Sequence, residues 1–166
     1  EVKIRWVYSG DVTEENVQST FEGVDGMLIA PGFGDRGIEG KIISAKYARE
    51  NNVPLLGICL GMQIMTIEFA RNVLEMKKAN SMEFDTSTPE PVISLMEEQK
   101  NVVDKGGTMR LGAWKCTLKP GSKLAEIYNT KNISERHRHR YEFNSDFKSE
   151  FEKNGLVPTG FNPETG

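Results

Sequence analysis

The sequence predicts an α/β fold with a mostly parallel central sheet and helices on both of its faces. Three observations predict it. Short apolar runs alternate with helical patterns through the first half of the chain, the order strand, helix, strand, helix that builds a parallel sheet. Two of those runs end in glycine-containing segments that open directly into helices. The length of 166 residues, with 37% hydrophobic and 27% charged residues, suits one globular domain able to bury a core without staples.

The elements follow in order. KIRWVYS alternates charge with bulk and reads as a strand, and TEENVQSTFEGV reads as a short helix opened by Thr13. GMLIAPG is a strand feeding a loop. GIEGKIISAKYARENN places Ile38, Ile42 and Ala45 at helical spacing, with charges opposite. VPLLGI is a further apolar strand, and GMQIMTIEFARNVLEM is a nearly all-apolar helix that should be buried. The second half changes character. ANSMEFDTSTPEPV, with two prolines, reads as loop, and NVVDKGGTMRLG is polar and glycine-rich. GAWKCTL alternates, putting Trp114, Cys116 and Leu118 on one face. ERHRHRYEFN is strand-like, DFKSEFEKNG is a helix with Phe147 and Phe151 one turn apart and Gly155 at its end, and LVPTGF is a last strand. NPETG carries turn chemistry and reads as the tip of a hairpin whose returning strand is not in the sequence, as in a fragment.

Composition narrows the function. A net charge of -3 gives no global case for nucleic-acid or anionic-membrane binding, and no apolar run approaches a membrane span. EVKIRWVYSG has no signal-peptide core. Two distant cysteines make no disulfide framework, so a reducing, cytoplasmic setting is expected.

The cysteines differ in context. Gly57-Ile58-Cys59-Leu60-Gly61 has the glycine-x-nucleophile-x-glycine pattern of a nucleophile elbow. Such a turn lifts the thiol above the carboxyl edge of a sheet, at the start of a helix whose dipole favours a thiolate. The Leu60 amide then faces an oxyanion. A small buried strand cysteine is the plainer alternative. Cys116 shares its face with Trp114 and Leu118 and reads as a packed core thiol. APGFGDRGIEG, after the preceding strand, is placed to lie beside Cys59, with an amide near Gly32 completing the oxyanion hole; it lacks the Gly-Lys-Ser/Thr ending of a phosphate-binding loop. His137 and His139 are the two histidines. On a strand they share a face with Tyr141 and Phe143, opposite Arg136, Arg138, Arg140 and Glu142, and a packed or hydrogen-bonded role suits them better than that of general base. The arginine face could grip a carboxylate or phosphate, whereas one short basic run in an acidic protein argues against nucleic acid.

Taken together, GICLGMQ, PGFGDRG, ANSMEF, GGTMRLG and ERHRHRYEFN resemble the glutaminase domains of the CTP synthase family, within the class I glutamine amidotransferases. GICLGMQ carries only the amidotransferase likeness; GGTMRLG with ERHRHRYE is more specific. The resemblance implies a flavodoxin-like sandwich spanning residues 1–166, with no separate cofactor. Cys59 would attack the side-chain amide of L-glutamine and form a glutamyl thioester. Gly32 and Leu60 would supply amides, Gln63 would hold substrate, Glu83 would bind the α-amino group, and Arg140 the α-carboxylate. In the full enzyme a synthetase domain, absent here, would use ATP and magnesium to aminate UTP, and the assembly would be a homo-tetramer. Two departures stand out. PGFG has one glycine where the family usually has two, Gly32 matching the second; and the family's FHPE segment, with its catalytic histidine and glutamate, is not in the sequence. Other members, such as the glutaminase of GMP synthase, and a non-catalytic amidotransferase-like module are the competing readings.

Overall fold

The computed structural model describes residues 1–95 and 110–164. They divide into two compact units, Glu1–Ser94 and Leu95–Gly166. Most of GGTMRLG lies outside the described residues.

In the first unit, the segment expected as a strand at KIRWVYS is not one. Val2, Ile4, Trp6 and Tyr8 alternate as a strand would, but all four are exposed and no ladder forms along them. Alternation supplies a face, and pairing requires a partner edge. A 3-10 turn at Ser9–Asp11 follows, then α1 (Val17–Phe21). The helix starts at Val17 with Asn16 at its N-cap, later than a cap at Thr13 predicts, and Thr13 begins the turn before it. The Thr13 backbone N–H donates to Asn16 Oδ1 at 2.9 Å, and its hydroxyl accepts weakly from the Asn16 N–H at 3.4 Å, a reciprocal cap across three residues.

β1 (Met27–Ile29), α2 (Ile38–Glu50), β2 (Leu55–Gly57) and α3 (Leu60–Asn72) form where the apolar periodicity places them. β1 and β2 pair in parallel, Met27 with Leu55, Leu28 with Leu56 and Ile29 with Gly57. Helices α2 and α3 pack on each other. Ile38, Ile42, Ala45 and Ala48 form the buried stripe of α2, and Leu60, Ile64, Ile67 and Ala70 that of α3. A second cluster joins Val12, Phe21 and Tyr47, with the two rings 5.5 Å apart.

The loop reading of ANSMEFDTSTPEPV is corrected by the structure. Residues Ala79–Ser81 form β3 and Glu90–Leu95 form β4, paired in parallel with a register shift between Asn80 and Ser81. Asn, Ser and Pro are poor strand formers, but burial of Ala79, Ser81, Val92 and Ile93 overrides propensity.

The second unit is antiparallel. β5 (Arg110–Leu118) pairs with β6 (Asn132–His139) from Arg110↔His139 to Thr117↔Asn132, and with the short β8 (Gly160–Phe161) on its other side. Between β5 and β6 lies α4 (Lys123–Tyr128), which the sequence reading left unassigned; Ser122 caps it, its hydroxyl accepting from the Ala125 N–H at 3.2 Å. The strand expected over ERHRHRYEFN is split. β6 ends at His139, the chain bends at Arg140, and β7 (Tyr141–Phe143) follows. His137 and His139 do face inward and Arg136 and Arg138 outward, but Arg140 is half-buried in the bend and leaves the arginine face. After a 3-10 turn at Ser145–Phe147, α5 (Lys148–Lys153) buries Phe151 edge-on to Phe143, centroids 5.2 Å apart. Gly155 closes α5 at φ 102°, a left-handed position suited to glycine. Asn162 Oδ1 accepts from the Glu164 N–H at 2.8 Å, the turn expected at NPE.

Candidate active site

Glycine's missing Cβ explains the elbow. A Cβ on Gly57 would lie 2.5 Å from the Gly61 carbonyl carbon and 2.6 Å from Met65 Sδ. One on Gly61 would collide with the Ile29 carbonyl oxygen and sit 3.1 Å from Ile29 Cβ. The chain therefore passes from β2 to α3 within three residues, with both flanks closed to side chains. Cys59 occupies the turn at φ 56°, ψ -105°, a backbone region that L-residues rarely adopt. It is the N-cap of α3. Its carbonyl accepts from the Met62 and Gln63 N–H groups at 3.1 and 3.3 Å. As the first residue of the helix proper, Leu60 has an amide with no acceptor inside the helix. Cys59 is partly exposed.

The glycine loop sits against this turn. Ile29, at the end of β1, accepts at its carbonyl from the Ile58 N–H at 3.1 Å. Three residues on, a Cβ on Gly32 would approach Leu60 Cδ2 to 3.1 Å. Pro31, directly before Gly32, restricts the loop backbone. Gly34 takes φ 75°, and its N–H donates to Glu83 Oε1 at 3.3 Å.

Glu83 reaches the loop from the turn after β3. The buried Ser81 hydroxyl accepts from the Glu83 N–H at 3.1 Å, while the Ser81 carbonyl accepts from Phe84 and Asp85, both at 3.0 Å. Arg71 anchors the approach to this turn. Its Nε donates to the Ala79 carbonyl at 2.8 Å and its Nη1 reaches Glu39 at 3.0 Å, joining β3 to α3 and α2. Gln63 is buried one helical turn past Cys59.

Five of the six expected site residues, Cys59, Gly32, Leu60, Gln63 and Glu83, thus belong to the first unit, and Arg140 to the second. The sequence reading passed over Gly34 and Ser81. The signals were available: a glycine inside a loop that must turn, and a serine two residues before the glutamate it orients. Cys116, read as a packed core thiol, is half-buried, as Cys59 is. Burial pushes its pKa up, a contact from the Phe161 backbone draws it the other way, and the charge of Glu135 adds to the rise. A cleft of about 400 Å³ is lined by Ser9, Gly10, Asp35, Glu39, Asn80 and Phe84 among others, and Cys59 is not one of its lining residues. Among the described residues no helix is long and apolar enough to cross a membrane.

The family model described as glutamine amidotransferase class-I matches residues 1–166, and the chain belongs to that family. It is 54% identical over 166 residues to a CTP synthase of Flavobacterium johnsoniae, 57% identical over 165 residues to one of Cytophaga hutchinsonii, and 58% identical over 160 residues to one of Porphyromonas gingivalis. These alignments cover 100%, 99% and 96% of this chain but 31%, 31% and 30% of the relatives, so the chain spans about a third of their length. Among solved structures, the glutaminase domain of Trypanosoma brucei CTPS with bound acivicin superposes with a TM-score of 0.92 at 34% identity, over 99% of this chain and 64% of that one.

Proposed function

We propose that this chain is the glutaminase part of a CTP synthase, and that Cys59 is its nucleophile. One observation carries the reading: a cysteine held at positive φ on a strand-to-helix turn, between two glycines that cannot bear side chains, beside a loop tied to Glu83. The Cys59 sulfur adds to the side-chain amide carbon of L-glutamine, and the resulting oxyanion points at the amides of Gly32 and Leu60. The carbon–nitrogen bond then breaks. The nitrogen leaves as ammonia with the thiol proton, and a γ-glutamyl thioester remains. In the complete enzyme water splits the thioester, its hydroxyl going to the acyl carbon and its proton returning to sulfur, so that glutamine and water become glutamate and ammonia; that step uses the histidine and glutamate the resemblance implies, and with the residues of this chain alone it should be slow while acylation proceeds. Glu83 takes the substrate's ammonium, Arg140 its carboxylate, and Gln63 supports the side chain. In the complete enzyme the ammonia aminates UTP to CTP on a synthetase domain that uses ATP and magnesium.

The test is intact-mass and peptide mapping after treatment with a glutamine chloroketone or with acivicin. One adduct on Cys59, blocked by excess glutamine and lost in Cys59→Ala, is expected, with Cys116 unlabelled and Cys116→Ser indistinguishable from the parent. An adduct that persists in Cys59→Ala, or none on the folded chain, overturns the assignment.

A further inference from the structure

The segment from Ala30 to Gly34 carries the amide proposed for the oxyanion, yet it has little to hold it. Phe33 is 90% exposed. Gly34 turns at φ 75° with open space where a Cβ would be. Among the described residues, the hydrogen bond that ties this segment down is the one from the Gly34 N–H to Glu83 Oε1. Glu83 itself is held from behind by Ser81, whose hydroxyl accepts from the Glu83 N–H and whose own side is buried. An ionised carboxylate has two oxygens and about four acceptor positions, so with Oε1 on Gly34 the other oxygen can still receive an ammonium.

From this geometry we infer that Glu83 is a positioning residue for the glycine loop as well as the contact for the substrate's amino end. One oxygen fixes Gly34, two residues from Gly32, and so sets where the Gly32 amide points. The other binds the ammonium. Recognition of the amino group and placement of the oxyanion donor then share one side chain, and a substrate that engages the carboxylate steadies the loop at the moment the oxyanion forms. This inference rests on the proposed glutaminase reading and goes beyond it by giving the loop its own anchor.

Three variants separate the two roles. Glu83→Gln keeps an oxygen for Gly34 and loses the charge; Glu83→Asp keeps the charge and shortens the reach; Glu83→Ala loses both. Two reagents are used, a chloroketone of glutamine and a chloroketone of the same length without the amino group, with inactivation of the Cys59 thiol followed at several concentrations. Amide exchange at Gly34 is followed by NMR alongside amides of α3. With the amino-free reagent, Glu83→Gln is expected within twofold of the parent in maximal rate. Glu83→Ala and Glu83→Asp should fall by about tenfold, and Gly34 exchange should rise at least fivefold in those two while the α3 amides stay unchanged. With the amino-bearing reagent, Glu83→Gln should raise the half-saturating concentration at least fivefold, while its Gly34 exchange stays within twofold of the parent. If Glu83→Ala matches Glu83→Gln in maximal rate and in Gly34 exchange, the loop anchor is overturned while the ammonium contact stands. If no variant shifts the half-saturating concentration of the amino-bearing reagent, the ammonium contact is overturned, and the amino-free rates with Gly34 exchange still decide the anchor.

Discussion

At Cys59 backbone strain falls on the proposed nucleophile. A φ of 56° with ψ of -105° costs an L-residue on the order of 1–3 kcal/mol, and glycine much less. Cys59→Gly should therefore be more stable than Cys59→Ala by about 1–2 kcal/mol in urea unfolding, although both lack the sulfur. Equal midpoints for the two variants would show that the turn is unstrained. The flanking glycines answer to contact rather than to φ. Gly61 stands against the Ile29 carbonyl, so Gly61→Ala must push β1 and α3 apart and should cost about 1–3 kcal/mol, read by the same titration. A variant as stable as the parent would mean that the strand and helix yield there.

At the scale of elements, α2 and α3 are joined by more than their apolar stripes. Glu68 is 3% exposed on α3, and Arg49 of α2 grips it. Arg49 Nε lies 3.1 Å from each carboxylate oxygen and Nη2 lies 2.8 Å from Oε1, while Asn72 adds a contact at 3.2 Å. The Arg49 pKa is raised, first by its hydrogen bond with Glu68, with burial opposing. Arg49→Met strands a buried carboxylate and should destabilise by about 3 kcal/mol, whereas Arg49→Met with Glu68→Met should recover most of that loss. Denaturant midpoints of the three proteins check it; a double variant as unstable as the single one would show that the pair is not coupled. The sequence read α3 as nearly all apolar, and the long-range partner of Glu68 has no local signature, so this pair was not legible. Helices α2 and α3, strands β1 and β2, and the Cys59 turn were legible because periodicity and glycine spacing are local. β3 and β4 were not, because their strand character comes from burial of Ala79, Ser81 and Ile93 and not from residue type. Arg140 was read on the arginine face because alternation was carried through a bend that nothing in RHRHRYE announces.

Over the whole molecule, the chain leaves apolar surface in water. Leu28 and Leu56, register partners in β1 and β2, are each 58% exposed, and Val2 and Trp6 are 87% and 88% exposed. The paired leucines form an exposed apolar surface on β1 and β2, which favours association. Leu28→Lys with Leu56→Lys should change unfolding free energy by no more than about 0.5 kcal/mol each, and should lower self-association of this chain measured by sedimentation velocity. A large loss of stability would mean that both leucines are buried in solution.

The Ile29 carbonyl has a mechanical consequence. It receives the Ile58 N–H and stands in contact with Gly61, so one oxygen indexes the end of β2 and the start of α3 while its own strand continues into the glycine loop. The sulfur and the root of the loop are thereby bolted to a common datum. When the sheet twists, both ends of that short span travel together.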